Sequence, residues 1–386
     1  MTDILVAGGG IAGMAAAARF AAMGRSVVLV DPAPPGGTGD LRTTAILTPG
    51  IETLTRAGAW QGMADHSAPL ATMRLVDAGG VERCPRETAD FRAGHTGAGI
   101  FGRNIANSAI RAALEHRLAE LGVDRRTTTA TGSVGRERQR IVRLGDGASI
   151  AAELVIAADG RDSALRADAG ITRRRWSYGQ RALVFSVHHD RPHDGVSTEI
   201  HRTGGPLTLV PMPDRDGRPT SSVVWMVPGA RAARLAALDD AALAEALTRE
   251  TMQLYGPLEI AGPRAVWPII SQLAGALTAP RLALMAEAAH VVPPIGAQGL
   301  NMSLADVACL AGLIEGEADP GAPRLIEAYA RRRWPDIAAR VAGVDMLNRA
   351  AQAEMQPLRD LRRVGLKAIN EIPPLRQLAM RLGLGA

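Results

Sequence analysis

Lysine is all but absent from this chain: Lys367 stands alone among 44 lysine and arginine residues in a sequence of 386. A Gly-Lys-Ser/Thr phosphate loop is therefore excluded, as is a Schiff-base lysine ahead of the C-terminal region. Cysteine is nearly as scarce. Cys84 and Cys309 are too few for a disulfide framework or a CxxC metal site, and they point to a reducing, cytoplasmic setting. A metal would then depend on histidine, but His189 and His193 flank Pro192 with no HExxH pattern. They read as surface-loop residues, and no metal is expected. Aromatic residues amount to 3%, which argues against the stacking platforms of single-stranded nucleic-acid binders. Long apolar runs are missing too. The uncharged stretch Ile4 to Ala18 contains Gly8, Gly9, Gly10 and Gly13 and follows no basic residue. It falls short of the roughly 18 residues of a spanning helix, so it reads as neither signal sequence nor membrane span.

What remains is the composition of an ordinary globule, with 47% hydrophobic and 22% charged residues. The length suits two domains or one elaborate α/β unit. The net charge of +5 is spread along the chain instead of gathered in blocks, so no nucleic-acid partner is implied.

Ile4 to Ala7 reads as a buried strand, Ile11 to about Met23 as an alanine-rich helix closed by Gly24, and Ser26 to Val30 as a second strand ending at Asp31. Together they predict a β-α-β unit opening a parallel sheet. Apolar spacing predicts a helix from about Phe101 to Leu121 and buried strands at Leu154 to Ala158 and Leu282 to Met285. Between about Trp176 and Val227, short strands at Ala182 to Val187, Leu207 to Pro211 and Ser221 to Met226, with a turn at Asp214 to Gly217, predict a second, antiparallel domain. A packed helix is expected at Leu304 to Ile314. From Glu327 the chain reads as Arg-rich amphipathic helices broken at Pro335, Pro357 and Pro373-Pro374.

Gly8-Gly9-Gly10-Ile11-Ala12-Gly13 is a GxGxxG between strand and helix, with Asp31 ending the next strand. Glycines permit the close approach of a pyrophosphate, the helix N-terminus favours its charge, and the carboxylate suits a ribose and repels a 2′-phosphate. The dinucleotide is then FAD or NAD, and this stretch alone does not choose.

Two later stretches bear on the choice. Ala158-Asp159-Gly160-Arg161 follows a buried strand, and Leu284 to Asp306 reads LMAEAAHVVPPIGAQGLNMSLAD. With these, the sequence resembles the flavin-dependent aromatic hydroxylases of the p-hydroxybenzoate hydroxylase fold, and among them most the hydroxylases of ubiquinone biosynthesis. The likeness spans nearly the whole chain. It includes Arg42-Thr-Thr-Ala45, Trp176 to Gln180, Gly205-Pro-Leu207, Val224-Trp225, Trp267-Pro268 and Tyr329 to Arg333.

The resemblance implies an α/β fold: a Rossmann-like FAD-binding domain with parallel sheet (1–72, 96–172 and 276–335), a substrate domain with antiparallel sheet (73–95 and 173–275), and C-terminal helices (336–386). It implies that NAD(P)H, visiting transiently, reduces the flavin, that O2 adds at C4a, and that the hydroperoxide hydroxylates an aromatic ring of a polyprenylated ubiquinone precursor. Residues expected at the cofactor are Gly8, Gly10, Ala12, Gly13, Asp31, Arg42, Asp159, Gly160, Arg161, Glu287, Gln298, Gly299, Leu300 and Asn301. Pro293 with Pro294 would wall the flavin face and Gly296 would lead into the helix whose amides at Gly299 and Leu300 face the flavin. His290 is a candidate proton-transfer group, though a structural role suits it better. Arg166 is a candidate phosphate contact beside Arg161. Gln298 and Asn301 fit either flavin contact or helix capping. One departure stands out: Ala286-Glu287 replaces the family's usual Gly-Asp.

Alternatives stay open at this point: a hydroxylase of a soluble phenol, a non-catalytic scaffold in a quinone-biosynthesis assembly, and, fitting poorly, an amine-directed flavin oxidase. The C-terminal helices, with Arg359, Arg362, Arg363, Arg376 and Arg381 among Leu361, Leu366, Ile369, Leu375 and Leu378, suit packing on the flavin domain or peripheral contact with the inner membrane equally. Oligomeric state is not readable.

Overall fold

A computed structural model of the chain describes residues 2–36, 40–79, 84–96, 99–202, 204–353, 355–372, 374, 376 and 380. The parallel core forms where the β-branched runs meet. Strand Thr2–Ala7 lies between Val27–Val30 and Ser149–Ala157, parallel to both, with Asp124–Arg126 and Leu282–Leu284 as the next neighbours on either side. Helix Ile11–Ala21 crosses between the first two strands, and its run of small residues is buried. Close packing follows from that choice of residues: a Cβ on Gly13 would sit 1.9 Å from the Gly8 carbonyl oxygen, so only glycine lets this helix start so near the strand it leaves.

A second sheet of nine strands is antiparallel apart from one pair. Its order is His290–Val291, Ala265–Ala274, Arg173–His189, Arg218–Pro228, Pro206–Arg215, Val196–His201, Thr72–Asp77 and Glu87–Arg92, with Leu258–Ile260 paired at the side. The exception is Val196–His201, which runs parallel to Thr72–Asp77. A three-stranded sheet is formed by Thr43–Leu47, Gly102–Ala106 and Ser67–Leu70 and touches the second through Asn104. The architecture is α/β, as expected, with C-terminal helices Pro323–Gln352 and Gln356–Glu371.

Four expectations need correction. The helix anticipated from Phe101 begins only at Asn107, because Gly102–Ala106 is the central strand of the small sheet and its backbone groups pair with strands on both sides. Ile105 satisfies helical spacing and strand burial alike, an ambiguity that periodicity does not resolve. Pro335 does not break its helix, which runs unbroken from Pro323 to Gln352. The lost amide hydrogen bond, on the order of 3 kcal/mol in a helix interior, is offset by burial of Ile337, Val341 and Val344 and by the ion pairs of Arg333. His189 is no surface residue. It is 1% exposed, stacks on Tyr255, contacts the Arg191 carbonyl through Nδ1 at 2.7 Å and Ser221 Oγ through Nε2 at 2.9 Å, and burial lowers its pKa. The last helix packs on the nine-stranded sheet and not on the core around the parallel sheet: Leu366 and Ile369 meet Ala89, Phe91 and Phe101, and Arg86 bridges Asp77 and Asp360. Of the residues named there earlier, Leu375, Leu378 and Arg381, with the side chains of Leu361 and Arg362, lie outside the described residues.

Candidate functional site

One cavity of about 760 Å³ runs from the first β-α turn to the face of the nine-stranded sheet. Gly8, Gly10, Ala12, Gly13, Asp31, Arg42, Asp159, Gly160, Glu287, His290, Gly296, Gln298, Gly299 and Leu300 all line it. Three stretches far apart in sequence thus converge on a single space.

At the first turn, the Gly9 amide donates to Asp31 Oδ2, and the Ala33 amide to Oδ1 at 2.8 Å. These bonds fix the carboxylate at the end of its strand. Gly10 has φ −66°, ordinary for any residue, yet a Cβ placed on it would meet no protein atom within 4 Å. The space beyond Gly10 is open for a ligand. Arg111, which sequence reasoning missed, also lines this end and donates to the Gly9 carbonyl at 3.1 Å. A lone arginine in mid-helix carries no motif, so nothing local could have found it.

Arg42, just ahead of strand Thr43–Leu47, reaches across the cavity. Asp40 binds it in a two-pronged pair at 2.7 Å and lifts its pKa against burial, and the guanidinium lies 4.8 Å over the Trp267 ring of the nine-stranded sheet. Asp159 accepts from the Leu165 amide through Oδ2 at 3.2 Å, whereas its buried Oδ1 has no partner. A buried carboxylate oxygen left without a donor is costly, so this atom suits a hydroxyl-bearing ligand. Arg161 does not line the cavity. Its Nε lies 3.4 Å from Glu287 Oε2 at the cavity's edge, and its carbonyl accepts from Arg166, Arg173, Arg175 and Gln272. Arg166 is placed away from the cavity lining: it is 3% exposed and its guanidinium donates to the Ala288 and Arg161 carbonyls, so it braces the loop.

Ala286 holds φ +54°, a left-handed conformation that glycine adopts without cost. The departure noted in sequence therefore falls where a Cβ is least welcome. Glu287 keeps a carboxylate on the cavity wall.

The loop after His290 places Pro294 on the wall and buries Pro293 behind it. Gly296 and Ala297, at φ +60° and +56°, turn the chain into helix Gln298–Ile314, whose N-terminus has no side-chain cap. Its first residues face the cavity, so the unpaired amides of that turn present a positive end to whatever binds there. Gln298 is fixed by Arg340, which donates to its Oε1 at 2.6 Å. Asn301 is not brought to the cavity. Its Nδ2 donates to the Ala45 and Ala297 carbonyls, and its Oδ1 accepts from the Leu47 amide, which ties the helix to strand Thr43–Leu47. His290, 3% exposed, reaches Asp306 Oδ2 through Nε2 at 2.8 Å.

At the other end the walls are Leu47, Leu70, Met73, Phe101, Val210 and Val224, with Asn104, Glu199 and Thr208 among them. This is an apolar compartment with a few placed polar groups, the usual form of a small-molecule site. No group of three or more metal-ligating side chains occurs among the described residues.

Residues 1–343 match the family described as FAD binding domain. The ubiquinone hydroxylase UbiL of Rhodospirillum rubrum is 33% identical over 402 aligned residues, covering 100% of this chain and 90% of that protein. The 3-demethoxyubiquinol 3-hydroxylase of Escherichia coli is 27% identical, covering 100% and 98%. Among solved structures, p-nitrophenol 4-monooxygenase PnpA from Pseudomonas putida superposes with a TM-score of 0.80 at 17% identity, covering 100% and 98%, a likeness of fold.

Proposed function

The chain belongs to the FAD binding domain family and is an FAD-dependent monooxygenase of the ubiquinone-hydroxylase type, and from that premise we propose that it hydroxylates the ring of a polyprenylated ubiquinone precursor with NAD(P)H and O2. The observation that carries this reading is the continuity of the cavity from Gly10 and Asp31 to the apolar compartment under the nine-stranded sheet.

The residues present fit FAD. The space beyond Gly10, the donor-less Asp159 Oδ1 and the uncapped helix at Gln298 are complementary to a pyrophosphate, a polyol hydroxyl and an electron-rich ring edge. Asp31 would take the ribose, Arg42 and Arg111 the diphosphate side, and Asp159, Gly160 and Glu287 the chain toward the ring. When bound, FAD supplies the redox chemistry, accepting electrons from NAD(P)H and transferring one oxygen atom of O2 from its C4a carbon. This chain's residues do the rest. Pro294, backed by Pro293, and Gly296 shape the wall at the ring, and the amides at Gly299 and Leu300 stabilise negative charge there. His290, held by Asp306, supports that wall. Leu70, Met73, Phe101 and Val210 exclude water from the bound ring.

A tailed substrate resides in lipid. Met346 and Leu347 are exposed on helix Pro323–Gln352, Val364 is exposed on helix Gln356–Glu371 beside Arg363 in sequence, and Met355 and Ile372 are exposed at the ends of that helix, which supports a peripheral contact with an anionic membrane surface. No helix among the described residues is long and apolar enough to cross a membrane. Liposome flotation that disappears on deletion of residues 358–386 is the expected result, and unaltered flotation rejects the contact.

The deciding experiment is spectroscopic. The purified protein should turn yellow with FAD, bleach with NAD(P)H and convert a prenylated phenol to its hydroxylated product by mass spectrometry. A protein that stays colourless is a scaffold. One that acts as well on tailless phenols is a hydroxylase of soluble substrates.

A further inference from the structure

The cavity contains a buried carboxylate that neither the cofactor site nor the wall at His290 uses. Strand Val196–His201 alternates faces, so Ser197, Glu199 and His201 share one side while Thr198 and Ile200 turn to the core behind. Ser197 and Glu199 line the cavity. Across the sheet Glu199 pairs with Thr208, and Thr208 with Val224, so the three stand side by side on adjacent strands of the cavity face. Glu199 is 8% exposed, and its Oε1 lies 2.7 Å from His201 Nε2. Among the described residues nothing donates to the other oxygen, Oε2. A buried carboxylate half-provided for in this way is costly unless a ligand completes it.

A second acceptor faces the same space. Asn104, 1% exposed, donates through Nδ2 to the Pro211 carbonyl at 2.8 Å, and its Oδ1 is buried with no donor. Each group has one oxygen without a donor, and an apolar compartment surrounds them. The complementary ligand is a ring bearing a hydroxyl. A quinone or a ring ether brings only further acceptors.

We propose that Glu199, oriented by His201, is the proton acceptor for the ring hydroxyl of a phenolic substrate, with Asn104 accepting from a hydroxyl at the same ring. This rests on the monooxygenase reading above. As an electrophilic oxygen atom bonds to the ring, positive charge develops there and the hydroxyl becomes acidic. Its O–H bond then breaks, the electron pair stays on the ring as a forming carbonyl, and a new O–H bond forms at Glu199 Oε2. When the ring loses the hydrogen at the hydroxylated carbon as a proton to solvent, the Glu199 proton returns to the ring oxygen and aromaticity is restored. Atoms and charge balance without any further reagent. A positioned base of this kind contributes roughly 10²–10⁴ in rate.

The test uses the FAD-loaded enzyme with 2-prenylphenol and its methyl ether. Dissociation constants are read from the perturbation of flavin absorbance, and product is counted against NAD(P)H consumed. The wild type is expected to bind the phenol roughly tenfold or more tighter than the ether, because the ether cannot donate to a charged acceptor. Glu199→Gln should bring the two within about threefold, slow hydroxylation by roughly a hundredfold and divert NAD(P)H to hydrogen peroxide. Its FAD affinity should stay at the wild-type value, which certifies the fold. Glu199→Asp, which keeps the charge, should recover part of the preference, and His201→Gln should lose part of it. A Glu199→Gln enzyme that keeps both the phenol preference and the coupling overturns the assignment while leaving the monooxygenase reading intact. A yellow wild-type enzyme that binds neither probe and forms no product overturns both.

Discussion

Asp306 Oδ2 lies 2.8 Å from His290 Nε2, and both residues are buried, so the wall of the cavity is anchored to a charge with no access to water. The same carboxylate accepts from Arg333 Nε at 2.7 Å through Oδ1. Burial would lower the Arg333 guanidinium, but the Asp306 charge and hydrogen bond outweigh it and hold its pKa above the ordinary value. Arg333 continues to Asp336, Asp336 to Arg340, and Arg340 to Gln298, which returns the chain of contacts to the cavity.

Removing the Asp306 charge leaves the buried Arg333 with only the half-buried Asp336 as a charged partner. Asp306→Asn should therefore cost about 3–5 kcal/mol of stability, read as a fall in the urea midpoint. Flavin affinity should weaken with it, because His290 and the turn at Ala286 lose their common anchor. A loss below about 1 kcal/mol would show that the network is not fully desolvated.

Gly10 allows binding and folding to be separated. Its backbone is acceptable to alanine and no protein atom opposes a Cβ, so Gly10→Ala should leave stability within about 0.5 kcal/mol of the wild type. The methyl group then intrudes only on the ligand, and FAD affinity should drop roughly tenfold or more, about 1.4 kcal/mol. Gly13→Ala makes the contrast, since its Cβ meets backbone at 1.9 Å and the variant should fail to fold well. Equal FAD binding by Gly10→Ala and the wild type would place the cofactor elsewhere.

These two sites were legible to different degrees. The turn from Gly8 to Gly13 and the acid at Asp31 are local, so periodicity and glycine spacing reveal them. Strand Gly102–Ala106 was hidden because its partners, Thr43–Leu47 and Ser67–Leu70, lie tens of residues away. Pro335 deceived because a proline's cost is local and its compensation, through Arg333 and the buried face of its helix, is tertiary. Glu199 and Asn104 were invisible for the same reason: a polar residue in a short strand signals nothing until register sets Glu199 beside Thr208 and a hydrogen bond to the Pro211 carbonyl fixes Asn104. Asn301 and Arg166 carried the right residue type for ligand contact, and only geometry showed that backbone groups engage their side chains away from the cavity lining.

Ala286 at φ +54° invites a stabilising change. A non-glycine residue in the left-handed region pays roughly 1–2 kcal/mol, whereas glycine adds up to about 1 kcal/mol of unfolded-state entropy. Ala286→Gly should thus raise stability by about 0.5–1 kcal/mol, visible as a higher denaturation midpoint with FAD absent. The neighbouring Glu287 should keep its place beside Arg161. A lower midpoint would mean that packing of the buried Ala286 methyl group outweighs the strain it causes.

Tyr178 and Asp345 set opposite ends of the pH range. Tyr178 OH donates to Asp345 Oδ1 at 2.6 Å, and Trp176 and Arg349 donate to the same carboxylate. Burial alone would raise Asp345, but the donors from Arg349, Tyr178 and Trp176 outweigh it and hold its pKa at about 2. Its contribution to stability is complete above the ordinary carboxylate value of 3.8 and is lost as pH falls toward about 2. Tyr178 moves the other way: burial, and then the bond to Asp345, push it up to about 12. The unfolded chain ionises first, so this contribution is present below pH 10 and fades as pH rises toward about 12. Asp345→Asn should destabilise at neutral pH, with the gap to the wild type closing between about pH 4 and 2. Tyr178→Phe should flatten the alkaline limb and, with one donor to Asp345 gone, shrink the acid limb without abolishing it. A gap that stays constant through the acid range would show that Asp345 titrates at its ordinary value and that its three donors leave it unaffected.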